Sequence, residues 1–276
     1  MATIGFIGGG NMAASLIGGL IKSGYTAADM IVIDPSDTVR ETLSKKFNIR
    51  VNTDINAVDN CEIIILAVKP QVLKTVCQQL ASIQIRDSLI VSIAAGVRST
   101  DINHWLIQGQ ATTEQAIVRC MPNTPALLQC GVSGLFANDS VSDNQKQQAE
   151  NILQAVGLVV WVDKEEQIDA VTAVSGSGPA YFFLLMEAMK NAGEELGLPA
   201  NVAQQLVLQT ALGAAKMATE SDLTPEELRK NVTSKGGTTE QAILSFQSAN
   251  FSTIVLNALE AANNRSISLA NELGSK

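Results

Sequence analysis

Along the first ~160 residues, short apolar runs alternate with amphipathic stretches. The runs read as strands: TIGFIG (3–8), MIVID (30–34), IRVN (49–52), EIIILAV (62–68), LIVSIA (89–94), AIVRCM (116–121), GVSGLFA (131–137) and LVVWV (158–162). IIILAV and LIVSIA lack the in-out alternation of a half-solvated strand, so both faces must be covered, as in a parallel sheet with crossover helices. Helical periodicity fills the gaps, for example at 11–23 and 38–47. This alternation predicts an α/β chain with a doubly wound, mostly parallel sheet.

After Val162 the strand signals stop. Helical segments follow at roughly 164–175, 179–196, 200–220, 224–232, 239–249 and 252–273. The one at 224 has a clear start, with Thr224 as cap, Pro225 in the first turn and Glu227 at the capping-box position. The change of rhythm divides the chain into a first domain, residues 1–162, and an all-α second domain, residues 163–276. Within the second, AYFFLLMEAMKNAGEELG is apolar on more than one face, and VAQQLVLQTALGAAKMA carries small residues that allow close helix approach. Periodicity leaves two readings open: core helices of a monomer, or a face buried against a second copy.

Composition narrows the function classes. A net charge of −8 and a pI near 4.8 argue against a nucleic-acid binder, which needs a basic face. Cys61, Cys77, Cys120 and Cys130 show no CxxC and no zinc-like spacing, so they read as small hydrophobes in a reducing compartment, with no metal site. The start MATIGFIGGG lacks a basic n-region, and IIILAV and LIVSIAAGV fall short of the ~20 residues that span a bilayer. A cytoplasmic protein is expected. His104 is the sole histidine, which removes the usual central group of Ser-His-Asp hydrolysis, of histidine metal sites and of dehydrogenases with a histidine acid/base. Any redox chemistry here needs little help with proton transfer.

The most specific chemical motif is IGFIGGGNMAASLIGGLIKSG. Gly8, Gly10 and Ala13 occupy the G-x-G-x-x-G/A places between a strand and a helix. Gly8 permits the tight turn, Gly10 lets backbone approach a pyrophosphate, and Ala13 lets the helix pack against the sheet. The helix start adds N–H donors and a positive dipole, so the first domain reads as a Rossmann-type dinucleotide-binding domain. At the end of the second strand the chemistry points two ways. Asp34 suits the 2′-hydroxyl of NAD, whereas Ser36 and Arg40 suit the 2′-phosphate of NADP. AVKP (67–70), with Lys69, and IAAG (93–96) end the fourth and fifth strands, where loops border a nucleotide; MPNTPA (121–126) ends the sixth and could wall the nicotinamide.

Two glycine-bearing stretches remain in the second half. In AVSGSGPAYFF (173–183), Gly176 and Gly178 interrupt the helical period and Pro179 opens the next helix. In SKGGTTEQAIL (234–244), Gly236 and Gly237 precede a helix, and Thr238 with Gln241 fits a capping box. A glycine pair at a helix start also exposes N–H groups at the positive end of a dipole, which suits a carboxylate.

IGFIGGGNMA, AVKP, VSIAAGV, RCMPNTPA, DAVTAVSGSGPAY and LRKNVTSKGGTTEQAI, in this order and at these separations, resemble the pyrroline-5-carboxylate reductases. The resemblance implies reduction of 1-pyrroline-5-carboxylate to L-proline by NADPH, with NADH as the other possible donor. It also implies homodimers, assembled further into homodecamers through the helical domain. By the same resemblance, the cofactor meets Ile7, Gly8, Gly9, Gly10, Asn11, Met12, Asp34, Ser36, Asn56, Ala67, Val68, Lys69, Pro70, Ala94, Ala95 and Gly96. The substrate meets Glu165, Asn231, Ser234, Gly237, Thr238 and Thr239. Lys235 stands where many relatives have proline, and Asp34 where NADPH-preferring members often have a neutral residue.

On this reading the Ser234 hydroxyl and the N–H groups of Gly237 and Thr238 hold the carboxylate, and Thr239 is the catalytic residue, its hydroxyl directed at the ring nitrogen. The rivals are a β-hydroxyacid dehydrogenase-like reductase, which needs a catalytic lysine, and a module that senses NAD(P) without turnover.

Overall fold

The computed structural model describes residues 2–83, 85, 87–107 and 114–274. All eight expected strands form: β1 (Ile4–Ile7), β2 (Met30–Ile33), β3 (Arg50–Asn52), β4 (Ile63–Leu66), β5 (Leu89–Ser92), β6 (Ile117–Met121), β7 (Gly131–Ala137) and β8 (Gly157–Trp161). They make a single sheet in the order β3-β2-β1-β4-β5-β6-β7-β8. Strands β1 to β6 run parallel; β7 is antiparallel to β6, and β8 runs parallel to β7.

The apolar runs explain themselves once the two faces are separated. Ile4, Phe6, Met30, Val32, Ile63, Ile65, Leu89 and Val91 point to one core, with Leu16, Ile17 and Leu20 of α1 (Asn11–Lys22), Leu43 of α2 (Asp37–Phe47) and Ile152 and Leu153 of α5 (Asp143–Gln154). Their neighbours Ile7, Ile31, Ile33, Ile64, Leu66 and Ile90 point to the other. There they meet Leu73, Cys77 and Leu80 of α3 (Pro70–Leu80) and Ile102, Trp105 and Leu106 of α4 (Ser99–Ile107). Side chains alternate along a strand, so a sheet covered on both faces needs an apolar residue at every position. That is the doubly wound sheet the sequence predicts.

Register decides where the loops emerge. Ile7 pairs with Ile33 and with Leu66, and Leu66 pairs with Ser92. Four strands therefore end level, and the segments that follow them leave along one edge of the sheet.

Beyond the sheet lie α6 (Gln167–Val171), a π-helical turn at Thr172–Gly176, α7 (Gly178–Glu195), α8 (Ala200–Glu220), α9 (Pro225–Asn231), α10 (Thr238–Ser248) and α11 (Phe251–Gly274). The expected capping box at Thr224 is formed: its hydroxyl accepts from the Glu227 N–H, and the Glu227 carboxylate accepts from the Thr224 N–H.

The chain divides into two compact units, Met1–Ser177 with Ala261–Lys276, and Gly178–Glu260. This division differs from the change of rhythm near Val162: α6 is tied to β6 by the Arg119–Asp169 ion pair, and side-chain hydrogen bonds tie in the π-helical turn and the end of α11. Asn123 donates to the Ser175 carbonyl at 3.2 Å, Ser266 donates to Asp169 at 2.6 Å, and Arg98 donates to Asn271 at 2.8 Å.

The second unit buries little. In α7 and α8, Ala203 and Val207 are buried, while Phe182, Phe183 and Leu184 stay 63–67% exposed. The stretch Gln167–Glu195 is long and apolar enough, by length and composition, to cross a membrane.

Candidate active site

The end of β1 is shaped by Gly8. Its φ is +99°, and a Cβ there would sit 2.6 Å from the Ala67 carbonyl oxygen, so backbone geometry and space both require glycine. The Gly8 N–H donates to the Ile33 carbonyl at 2.8 Å, which ties the turn to β2. At Gly10, by contrast, a Cβ would meet nothing within 4 Å. Helix α1 begins with Gly10 as a cap that makes no side-chain hydrogen bond, and its first backbone bond runs from Ala14 N–H to the Gly10 carbonyl. The N–H groups of Asn11, Met12 and Ala13 thus have no acceptor within the helix. Open space over Gly10 and uncapped donors at a positive dipole end fit the pyrophosphate of a dinucleotide.

The remaining cofactor candidates lie along the same edge. Asp34 to Ser36 follow β2, Ala67 to Pro70 follow β4, and Ala94 to Gly96 follow β5. Pro70 opens α3, with the exposed Lys69 as its cap residue. Gly96 turns the chain at φ +70°. Asn56 sits in the short helical turn after β3, where its side chain donates to Asp54 at 2.7 Å. The level ends of β1, β2, β4 and β5 bring the expected cofactor residues of the 7–12, 34–36, 67–70 and 94–96 segments to one sheet edge, and Asn56 follows the neighbouring β3.

Glu165 lies in the sheet unit, in a buried polar cluster. Its carboxylate accepts from the Ser99 N–H at 2.6 Å and from the Ser99 hydroxyl at 2.7 Å. Arg119 of β6, whose side chain is 2% exposed, stands 3.3 Å from Glu165 and 3.8 Å from Asp169. Asp169 in turn accepts from the Ser266 hydroxyl at 2.6 Å. A buried guanidinium needs such partners, since an uncompensated charge inside a protein is very costly. Sequence reading picked out Glu165 but missed Ser99, Arg119, Asp169 and Ser266. Two signals were available: an arginine inside the apolar run AIVRCM, and the spacing of four between Glu165 and Asp169.

In the second unit, Asn231 ends α9 and Thr238 and Thr239 open α10, with Ser234 to Gly237 as the link. The structure brings Asn231, Ser234, Gly237, Thr238 and Thr239 into this one loop, and Glu165 lies in the other unit.

Two details of the loop differ from expectation. Thr238 does not cap α10; Gly237 does, in extended conformation and without a side-chain hydrogen bond. The reason is Gly236, whose left-handed φ of +74° turns the chain just before Gly237, while its N–H donates to the Glu240 carboxylate at 2.7 Å. The Gly237 N–H, expected to meet the substrate carboxylate, instead donates to the Ser234 carbonyl at 3.0 Å. The first backbone bond of the helix runs from Gln241 N–H to the Gly237 carbonyl, so the donors without a helical acceptor are Thr238, Thr239 and Glu240.

The comparisons with known proteins agree over the whole chain. Residues 165–269 match the family model described as pyrroline-5-carboxylate reductase dimerisation, and residues 3–96 match the model described as NADP oxidoreductase coenzyme F420-dependent. A pyrroline-5-carboxylate reductase of Pseudomonas aeruginosa is 54% identical over 98% of this chain and 98% of its own. The solved structure of a pyrroline-5-carboxylate reductase from Coxiella burnetii superposes with a TM-score of 0.92 at 44% identity, covering 98% of each chain. That of pyrroline carboxylate reductase from Plasmodium falciparum, with NADP bound, gives a TM-score of 0.81 at 29% identity and the same coverage.

Proposed function

The chain belongs to the pyrroline-5-carboxylate reductase family, and we propose that it reduces 1-pyrroline-5-carboxylate to L-proline with NADPH. The observation that carries this reading is a likeness to those reductases from end to end. Bound NADPH supplies the hydride that the imine carbon accepts.

The protein's own groups bind, orient and exclude water. The N–H groups of Asn11 and Met12 hold the pyrophosphate, and the loops after β2, β4 and β5 hold the rest of the nucleotide. The uncapped start of α10 receives the substrate carboxylate on the N–H groups of Thr238 and Thr239, with the Ser234 hydroxyl beside them. Gly237 contributes shape, because its own N–H is spent on Ser234. The Thr239 hydroxyl orients the ring nitrogen. Asn231 completes the substrate contacts of this loop, and Glu165 is the substrate-binding candidate of the sheet unit. An iminium is already electrophilic, so alignment and a dry pocket do most of the work; this fits a chain whose one histidine, His104, lies exposed on α4.

The exposed apolar faces of α7 and α8 are subunit interface, and the protein is a homodimer assembled further into a homodecamer. The free buried thiols Cys61, Cys77 and Cys120 suit the reducing cytoplasm.

The test is direct. Full-length protein mixed with NADPH and pyrroline-5-carboxylate is expected to consume the reduced-nicotinamide absorbance and to yield proline. No oxidation would point instead to a nucleotide-sensing module, and turnover of a β-hydroxyacid to the rival reductase class. Lys190, one of two lysines such a rival could use, pairs with Glu194 at 2.5 Å.

A further inference from the structure

The turn after β2, the part of a Rossmann-type fold that borders the adenosine ribose, carries a carboxylate. Asp34 directly follows Ile33, the last residue of β2, and is held by two backbone amides. Its Oδ2 accepts from the Gly9 N–H at 2.8 Å and its Oδ1 from the Ser36 N–H at 2.9 Å. The first of these bonds ties the carboxylate to the glycine turn that holds the nucleotide. A carboxylate accepts about four hydrogen bonds, so lone pairs remain on both oxygens. An acid fixed at this point of the fold is placed to accept from an adenosine ribose hydroxyl.

The cation that would favour a phosphate is already engaged. Arg40, with its side chain 15% exposed, donates to the Asp34 carbonyl at 2.5 Å and pairs with Asp37. The turn therefore holds two carboxylates, Asp34 and Asp37, against one guanidinium, before any phosphate arrives. Ser36 is also in use, since its Oγ caps α2 by accepting from the Val39 N–H at 3.4 Å. A 2′-phosphate at this turn meets a fixed like charge at Asp34 and no unpaired cation in the 34–40 segment.

We infer that Asp34 sets the choice of cofactor, admitting NADH to the reaction proposed above and penalising the 2′-phosphate of NADPH. This rests on that reading for the reaction but not for the binding. The experiment therefore has two readouts on the full-length protein: Kd for NAD+ and NADP+ by calorimetry, and kcat/KM for NADH and NADPH with pyrroline-5-carboxylate. Wild type is expected to bind NAD+ within about tenfold of NADP+ and to turn over with NADH. Asp34→Ser, and Asp34→Asn, which keeps the side-chain shape and one acceptor, are each expected to shift both ratios at least about tenfold towards the phosphorylated cofactor. The shift should lie in KM and Kd rather than in kcat.

The inference is overturned if wild type binds NADP+ more than about a hundredfold tighter than NAD+, whatever the variants do. It is also overturned if the ratio of the two Kd values is the same in wild type and in a folded Asp34 variant. Absence of reduction with either cofactor would sink the proposed reaction and leave the Kd ratios to decide the role of Asp34.

Discussion

Arg119, buried in β6, and the half-buried Glu165 form an ion pair, 3.3 Å between guanidinium nitrogen and carboxylate oxygen, that joins β6 to the segment leading into α6. Removing the arginine leaves Glu165 with the neutral donors of Ser99 and Asp169 with that of Ser266. Arg119→Ala is expected to cost about 3–5 kcal/mol, because Glu165 and Asp169 then lose the cation they share. Arg119→Lys should cost less but not nothing, since an ammonium is a point charge and cannot fork between two carboxylates. Urea unfolding followed by circular dichroism checks both.

Gly8 admits no side chain. Gly8→Ala puts a Cβ 2.6 Å from the Ala67 carbonyl at a φ of +99°. The turn must move, and with it the mouth of α1. NADP+ affinity is expected to fall at least about tenfold, with a lower Tm; calorimetry and a thermal melt measure the two effects separately.

Thr239 tests the chemistry. It stands second in α10, at the uncapped end. Thr239→Ala should lower kcat/KM for pyrroline-5-carboxylate by about tenfold to a hundredfold, the loss expected for one hydroxyl that orients a reacting group, and leave NADPH affinity nearly unchanged. Full activity in this variant would remove Thr239 from the mechanism.

The thiols should sort by burial. Burial pushes the Cys77 thiol up to about 12 and also raises those of Cys61 and Cys120, whereas Cys130 is exposed. A thiol reacts as its thiolate, so the native protein near pH 8 should label with a disulfide reagent fast at Cys130 alone. All four should label after denaturation. Peptide mapping of the labelled protein identifies the site.

The capping box gives a pH signature. Hydrogen bonds from the Thr224 N–H and hydroxyl hold the Glu227 carboxyl below its ordinary value. A carboxyl whose pKa is depressed on folding contributes stability above its unfolded pKa, and that contribution fades as pH falls through the folded value. Thr224→Ala should therefore lower Tm at neutral pH by more than it does in acid below the carboxylate range. Paired melts at the two pH values read the difference.

Much of this architecture is legible in the amino-acid sequence. A residue's burial within a strand or helix is a local, periodic property, so IIILAV and LIVSIA announced a sheet covered on both faces. The glycine fingerprint announced a nucleotide turn, because Gly8 is needed where backbone crowds backbone. The capping box at Thr224 was equally local. The cap of α10 lies one residue before the place that the sequence pattern predicts. Thr238 and Gln241 have the right types and spacing for a cap, but Gly236, with its left-handed backbone, moved the cap to Gly237.

Partners distant in sequence were another matter. Ser99 and Glu165 are 66 residues apart, and Asp169 and Ser266 are 97 apart; no periodicity links them. Only the folded chain shows that the arginine in AIVRCM has two carboxylates to meet, or that the amides of Gly9 and Ser36 fix Asp34. The sequence by itself determined the strands, the helices and the nucleotide turn, because each depends on neighbours along the chain. Tertiary structure decided which polar groups are already engaged and which stay open to a ligand, because a hydrogen bond is made or lost over a few tenths of an ångström in space.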